Sequence, residues 1–182
     1  MTTTENRIPD LDWSDMGAAD GTARAFLKTL ASDRRALGRL IDAAENSPRL
    51  RGLSEHSPGR KELALLESAD KRLQLRLVLD AGTMTDIVRR RARHQATICL
   101  RGEYRNIFYS VDQDQAEFMA DEGPGVVFTL HGSAFQNIKA QRGIVALSLV
   151  EVTESDYSSM RPPLSVEAVL TIRKQLEGEG LI

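Results

Sequence analysis

The sequence predicts a mainly β protein in which an antiparallel barrel or sandwich is preceded by helices and followed by one helix. Three observations support this fold class. Several short apolar runs, separated by turn-rich breaks, follow residue 71. A helical period of apolar residues precedes these runs. An amphipathic stretch with a capping serine follows the Pro162-Pro163 pair.

The pattern divides the chain into four segments: a flexible arm (1–18), a helical part (19–70), a β-barrel (71–156) and a C-terminal helix (157–182). The arm is polar and has no period, and Trp13 is its best candidate for docking onto the body. From Asp20 the apolar positions give one helical stripe, formed by Phe26, Leu27, Leu30, Leu37, Leu40 and Ile41.

Two prolines separate the apolar stripe from a second predicted helix. Pro48 ends the apolar stripe because proline lacks the backbone N–H and crowds the preceding turn. A second short helix is predicted after Pro58, and it carries Leu63, Leu65 and Leu66. At the other end of the chain, Ser165 caps the last helix, and Glu167 lies in its first turn.

A change of period to two predicts the strands. Leucines at 73, 75, 77 and 79 alternate with other side chains, which predicts a strand with one buried face. Further strands are predicted at 96–100, 104–111, 126–130 and 144–152, with turns at 122–125 and 141–143.

Composition excludes several classes of protein. The 182 residues are 41% hydrophobic and 27% charged with a net charge of −2, so no basic field favours nucleic acid. No run approaches the roughly 18 apolar residues of a membrane span. The single cysteine, Cys99, excludes an internal disulfide. With no secretory pattern at the start, a cytoplasmic location is expected.

The stretch "IVRRRARHQATICLRG" carries the first of two motif-like spacings. When it is anchored at Gly102, it resembles the first motif of the cupin superfamily of small antiparallel β-barrels. That motif runs His-x-His, then three or four residues, Glu, six residues and Gly. The glutamate position then falls on Gln95, and the histidine positions fall on Arg89 and Arg91, or on Val88 and Arg90 with the longer spacing.

The stretch "GVVFTLHGSAFQNI" resembles the second cupin motif when it is anchored at Gly125. The metal-binding histidine of that motif falls on Gln136. Its proline, glycine and asparagine positions fall on His131, Ser133 and Ala140. The resemblance covers about 73–152 and implies a cupin-like barrel with N-terminal helices.

The resemblance also implies a small-molecule enzyme, commonly in bacterial specialised metabolism, but its metal positions are replaced. A cupin metal ion needs neutral imidazoles and a carboxylate, whereas arginine stays protonated and repels a cation. We therefore expect no cofactor, and cofactor-independent isomerisation, cyclisation or elimination. A dioxygenase-like alternative keeps Fe²⁺ or another divalent transition metal on His94, His131 and a carboxylate such as Glu103.

Strand parity defines the predicted pocket. Arg89, Arg91, Arg93, Gln95, Thr97 and Cys99 share one face, and His94, Ala96, Ile98 and Leu100 share the other. Which face points inward stays open, because a β-bulge can switch faces within the strand. If the arginines point inward, they suit a carboxylate or a phosphate. If they point outward, they form a solvated edge that blocks edge-to-edge pairing.

The preferred hypothesis is an anionic organic substrate that is held by Arg89 and Arg91 and oriented by Gln95 and Gln136, with Thr97 as a further ligand-binding residue. Candidates for acid–base catalysis are His94, Glu103 and Tyr109. Cys99 is expected to be a small buried hydrophobe. A non-catalytic ligand-sensing or partner-binding module is a further alternative. By analogy with cupins we expect a homodimer, with no nucleic acid and no membrane as partner.

Overall fold

The computed structural model describes residues 7–57, 59–81, 89–90, 93–109, 116–132, 135–153 and 163–182, with the backbone alone at 89–90, 116–118 and 135–142. Its helices are α1 (Met16–Ser32), α2 (Arg34–Asn46), α3 (Pro48–Gly52) and α4 (Val166–Gly178). Its strands are β1 (Glu55–Ser57), β2 (Arg60–Glu67), β3 (Leu73–Asp80), β4 (Arg89–Arg90), β5 (Gln95–Tyr109), β6 (Ala116–Glu122), β7 (Val127–Leu130) and β8 (Phe135–Glu151).

The mainly antiparallel β fold with helices at both ends is confirmed. The hydrogen-bonded strand order is β1-β2-β3-β8-β5-β6, with β4 beside β8 and β7 beside β5. Among the strand pairs of the described residues, none joins β1 to β6, so the sheet is open there. No helix in the described ranges is both long and apolar enough to cross a bilayer.

The predicted apolar stripe is buried, but it belongs to two helices. The carboxylate of Asp15 accepts from the N–H of Ala18 at the start of α1, and that of Asp33 accepts from Ala36 at the start of α2. The chain therefore restarts a helix at Asp33. Buried stripe residues on both helices pack into the main core, which also includes Ile8 from the predicted arm.

The short helix predicted at Leu63, Leu65 and Leu66 is wrong, because these residues form β2. Strand β2 pairs with β3, and Leu63 lies opposite Leu77. A register shift between Ala64 and Leu66 breaks the alternation of side chains. This bulge buries three consecutive residues and removes the period of two that would have indicated a strand.

Strand β3 is a strand as predicted, but both of its faces are buried, so the expectation of one buried face is wrong. Its leucines pack against the helices in the main core. The alternate positions Gln74, Arg76 and Asp80 are buried on the opposite side. We call the helix-covered side the outer face and the side of Gln74 and Arg76 the inner face.

Strands β5 and β8 are longer than the sequence indicated. The runs predicted at 96–100 and 104–111 are joined in β5, and the turn predicted at 141–143 lies within β8. The first half of β5 pairs with β7 and the second half with β6. Both long strands therefore belong to two half-sheets. The first contains β1, β2, β3 and β7, and the second contains β4 and β6.

A bend in β5 folds the second half-sheet over the inner face. The ring of Tyr104 meets the ring of Phe128 at 5.7 Å between centroids, although Phe128 pairs with Thr97. On a straight strand, positions 97 and 104 would be about 23 Å apart. Register shifts between Cys99 and Tyr104 accommodate the bend. Gly102, inside this stretch, has φ 85, which glycine adopts without strain.

The C-terminal helix is confirmed with its predicted cap. The Ser165 hydroxyl accepts from the N–H of Ala168, and Glu167 lies in the first turn of α4. Val169, Ile172 and Leu176 are fully buried against the outer face. The four-segment division of the chain stays a prediction, although β1 and β2 lie within its helical segment.

Candidate functional site

A row of polar side chains crosses the inner face of the first half-sheet. Arg76 on β3 lies opposite Ser148 on β8, and Ser148 lies opposite Thr97 on β5. All three residues are buried. A buried polar group is costly unless it is hydrogen-bonded, so the partners of this row decide what it can do.

Hydrogen bonds join the β5 and β8 end of the row. The Thr97 and Ser148 hydroxyl oxygens lie 2.8 Å apart, and the Gln95 amide nitrogen donates to the Thr97 hydroxyl at 2.7 Å. The predicted ligand-binding residues Gln95 and Thr97 are therefore brought together on the inner face. In this part of β5, the face that carries Gln95, Thr97 and Cys99 points inward.

Arg76 is held by its neighbours on the β3 side of the row. Its guanidinium donates to Glu62 at 2.8 Å and to Glu55 at 3.0 Å. It also donates twice to the side-chain oxygen of Gln74, at 3.0 and 2.8 Å. These four hydrogen bonds fix the guanidinium in place, so Arg76 is already paired with side chains of β1, β2 and β3.

A second arginine extends this network. Arg60 contacts Glu62 at 2.7 Å and Asp80 at 3.6 Å. Burial alone would raise the pKa of Glu62, but the guanidinium groups of Arg60 and Arg76 together hold that pKa below its ordinary value. Glu62 therefore stays ionised in the fold. The two described arginines of this face are thus compensated by carboxylates.

A cleft of about 930 Å³ opens where β5 bends. Arg60, Asp80 and Ile144 connect it to the inner face, and Lys61 and Glu103 also line it. Its full lining is His56, Ser57, Gly59, Arg60, Lys61, Leu79, Asp80, Ala81, Arg101, Gly102, Glu103, Gly123, Pro124, Gly143, Ile144, Val145, Gln175 and Glu179. The cleft has the size of a small-molecule site.

Two protonated side chains lie on either side of the bend. Burial raises the pKa of Tyr104 well above its ordinary value, so its phenol remains a hydrogen-bond donor. Burial also raises the pKa of the Cys99 thiol to about 11. That thiol is fully buried and donates to the carbonyl of Arg101 at 3.2 Å. Cys99 thus lacks the thiolate that a nucleophile needs, as the sequence indicated.

Asn106 is a residue that the sequence did not single out. It is 1% exposed, and among the described residues neither its amide nitrogen nor its amide oxygen has a hydrogen-bond partner. The only signal in the sequence was a polar residue within an apolar strand. Counting parity from Thr97 gives the wrong face for Asn106, because the register shifts before Tyr104 are not visible in the sequence.

His94 and His131 lie together at the start of β5. Their rings meet edge to face with 4.6 Å between centroids, and the ring of Trp13 stacks on that of His94 with 5.1 Å between centroids. The Gly132 N–H donates to Nδ1 of His94 at 3.4 Å. The described residues contain no group of three side chains that suits a metal ion. The proposed third ligand, Glu103, lies at the bend instead.

The three catalytic candidates are spread along β5. His94 precedes the strand, Glu103 lies at the bend and half-buried Tyr109 is the last residue of the strand. Glu103 lines the cleft, and neither His94 nor Tyr109 is among the residues that line it. The structure does not bring these three candidates into one cluster within the described ranges, and their catalytic roles stay predictions.

The remaining ligand-binding candidates are placed by the backbone alone. Arg89 pairs with Gln136, and Gln136 also pairs with Phe108 across β8. The register thus puts two predicted ligand positions side by side in the second half-sheet. Arg91 lies outside the described residues.

Comparison with known proteins gives structural likenesses. No protein-family model and no curated sequence matches the chain. An RmlC-like cupin from Shewanella frigidimarina is 14% identical, over 57% of this chain and 85% of that one, with a TM-score of 0.44. Ectoine synthase from P. lautus is 16% identical over 66% and 77%, with a TM-score of 0.45. KdgF from Halomonas sp. is 13% identical over 56% of this chain and 88% of that one, with a TM-score of 0.44. Each of these three is a likeness in structure at low sequence identity.

Proposed function

We propose that the chain is a cupin-like enzyme that binds a small anionic organic molecule at the inner face and transforms it without a metal. The supporting observation is the distribution of buried polarity. Every described buried polar or charged side chain except Ser54 lies on the inner side, namely Gln74, Arg76, Asp80, Thr97, Asn106 and Ser148. The outer face of the same sheet buries aliphatic side chains. Polar burial is therefore specific to the inner side.

The cleft at the bend would give the substrate a route to the inner face, and Glu103 in its lining would carry the proton. Glu103 and Lys61 both line this cleft, and Arg60 and Asp80 lead from it to the inner face. In an isomerisation, Glu103 would take a proton from one carbon of the substrate and return it to another. The protonated Tyr104 would donate a hydrogen bond to oxygen that gains charge in that step. His94 and Tyr109 remain the alternative acid–base candidates.

The acid group of the substrate is assigned to Arg89 and Arg91. The described inner-face arginines already face carboxylates, so they have no net positive charge to offer. A substrate carboxylate or phosphate would instead meet the two arginines that replace the cupin histidines. Gln95, Thr97 and Gln136 would orient the molecule by hydrogen bonds.

The metal that cupins commonly hold does not suit the described donors. On the inner face these donors are hydroxyls, amides and carboxylates that are paired with arginine. Imidazoles are the preferred ligands of such an ion, and the described pair, His94 and His131, lies beside Trp13 instead. No step of the proposed reaction passes through a metal.

Thermal melting with small carboxylic and phosphorylated acids tests the anion site. At a concentration of about 100 Kd, a bound acid should raise Tm by roughly 5–10 °C. Arg89→Ala and Arg91→Ala should remove that rise, because each deletes a guanidinium fork. Arg35→Ala, an exposed arginine on α2, is the matched control. Unchanged shifts in both site variants would contradict the anion site.

A metal-dependent oxygenase is the second candidate, and the contact between His94 and His131 favours it. Elemental analysis of protein purified without chelator separates the two functions. The metal-free enzyme should contain far less than one transition ion per chain. About one iron, manganese or nickel per chain, lost in His94→Ala and His131→Ala, would support the oxygenase and refute our proposal.

A further inference from the structure

We infer that Asn106 is a ligand-binding residue of the inner face and that it selects an organic acid that also carries a carboxamide group. This inference rests on the proposed function, because it names the substrate class of the same site. It is carried by the side chain of Asn106, by its neighbours on three strands and by the register of β4, β5 and β8.

Asn106 is the exception among the inner polar side chains. Gln74, Asp80, Thr97 and Ser148 each contact another described polar side chain. Asn106 is equally buried, yet within the described part of the chain nothing pairs with its donor or its acceptor. An amide is expensive to bury in this way, because both atoms lose their hydrogen bonds to water.

The neighbours of Asn106 cannot meet this need. Its cross-strand partners are Ala120 on β6 and Ile138 on β8, and both are aliphatic residues. Along β5, Tyr104 and Phe108 are the next residues of the same parity, and both belong to the apolar cluster between the half-sheets. A leucine would fit this chemical environment better than an amide, so the amide needs another explanation.

The register places Asn106 beside two predicted ligand positions. Gln136 pairs with Phe108 on one side and with Arg89 on the other. The row of Asn106 and Ile138 is two residues along the same strands. Neighbouring strands are about 4.8 Å apart, and alternate residues are about 7 Å apart along a strand. One small organic molecule can therefore span both rows.

The chemistry of the asparagine side chain identifies the ligand group. Its amide offers an N–H donor and a carbonyl acceptor side by side in one plane. A carboxamide presents the complementary acceptor and donor, so two hydrogen bonds form at once. The acid of the same molecule would then meet the Arg89 row, at the spacing given above.

Matched pairs of acids test this selection. Malonamate, succinamate and glutaramate are each compared with the acid in which an isopropyl group replaces the carboxamide, and Kd is measured by calorimetry. For at least one chain length, the wild-type protein should prefer the carboxamide by roughly tenfold, which corresponds to two net hydrogen bonds. Asn106→Leu should remove this preference and leave binding of the isopropyl acid intact.

The melting temperature of the same variant separates a ligand role from a structural role. Asn106→Leu should melt at or above the wild-type Tm without ligand, because it removes an uncompensated buried amide. Asn46→Leu, which changes an exposed asparagine on α2, should preserve the preference. A Tm several degrees lower in Asn106→Leu would overturn the inference, since it would show that the amide has a structural partner.

The outcomes also distinguish this inference from the proposed function. If acids bind through Arg89 and Arg91 but no carboxamide is preferred, the inference is wrong and the anion site stands. If no acid of either series binds, both are wrong. Loss of the preference in Asn106→Leu with an unchanged or higher Tm supports both.

Discussion

The two faces of the first half-sheet solve the same burial problem with different chemistry. The outer face packs leucines of β2, β3 and β8 against α1, α2 and α4 in one aliphatic core. The inner face of the same strands buries arginine, glutamine and hydroxyl side chains beside a smaller apolar cluster. Both faces belong to one backbone, so the difference between them lies in their side chains and in what covers them, helices outside and the second half-sheet inside.

This difference teaches where stability and where function are built. Aliphatic burial stabilises without directional demands, whereas each buried polar group needs a partner of fixed geometry. On the inner face most of these demands are met by neighbours within the sheet, and at Asn106 they are not. An outer face that holds the fold together leaves the inner face free to carry polar groups at a cost in stability.

Breaking the ion network of the inner face should have the largest effect. Glu62→Leu removes the carboxylate that buried Arg76 shares with partly exposed Arg60, which leaves Arg76 with Glu55 and Arg60 with Asp80. It should cost about 3–5 kcal/mol of unfolding free energy. Adding Arg76→Met should recover part of that loss, because the second change removes a buried charge that has lost one of its two carboxylates. Urea unfolding measures both. A single-variant loss below about 1 kcal/mol would show that water compensates these charges.

Truncating the outer face should have the next largest effect. Leu77 is fully buried between β2, β8 and the helices, so Leu77→Ala should cost about 2–5 kcal/mol by leaving a cavity. Leu170→Ala on α4, where the side chain is 38% exposed, is the matched control and should cost far less. Urea unfolding gives the free energies. If acid binding were lost in folded Leu77→Ala, the division of roles between the faces would be wrong.

Acid should weaken the ion network of the inner face. The pKa of Glu62 in the fold is below its ordinary value of 4.5, so the folded state binds the proton less readily than the unfolded state. The stabilisation is therefore present above pH 4.5 and is lost as the pH falls through the lower, folded pKa. Urea midpoints from pH 7 to pH 3 should fall more steeply for wild type than for Glu62→Gln. Parallel curves would assign the acid sensitivity to other carboxylates.

The sequence predicted the outer face better than the inner face. The stripe on α1 and α2, the leucines of β3 and the Ser165 cap follow from local period and local hydrogen bonds, which require no knowledge of the partner strands. The helix predicted at Leu63 failed because a bulge, which depends on pairing with β3, removed the strand period.

The inner face depends on long-range geometry that no local pattern contains. The alternation of leucines predicts Arg76 on the exposed side of β3, but the second half-sheet, which is distant in sequence, covers that side. The bend at Gly102 changes the parity of β5, so Tyr104 and Asn106 reach the inner side although Thr97 has the opposite parity. Strand parity did predict Gln95 and Thr97 on one face, and their side chains are hydrogen-bonded there.

Removing one hydroxyl should have the smallest effect and the most informative one. Thr97→Val keeps the shape of a buried side chain but deletes its bonds to Gln95 and Ser148, so it should cost about 1 kcal/mol in urea unfolding. Thr29→Val, which changes an exposed threonine on α1, should stay within about 0.5 kcal/mol of wild type. Equal costs would mean that the inner hydroxyls contribute no stability, and their burial would then require a ligand as its reason.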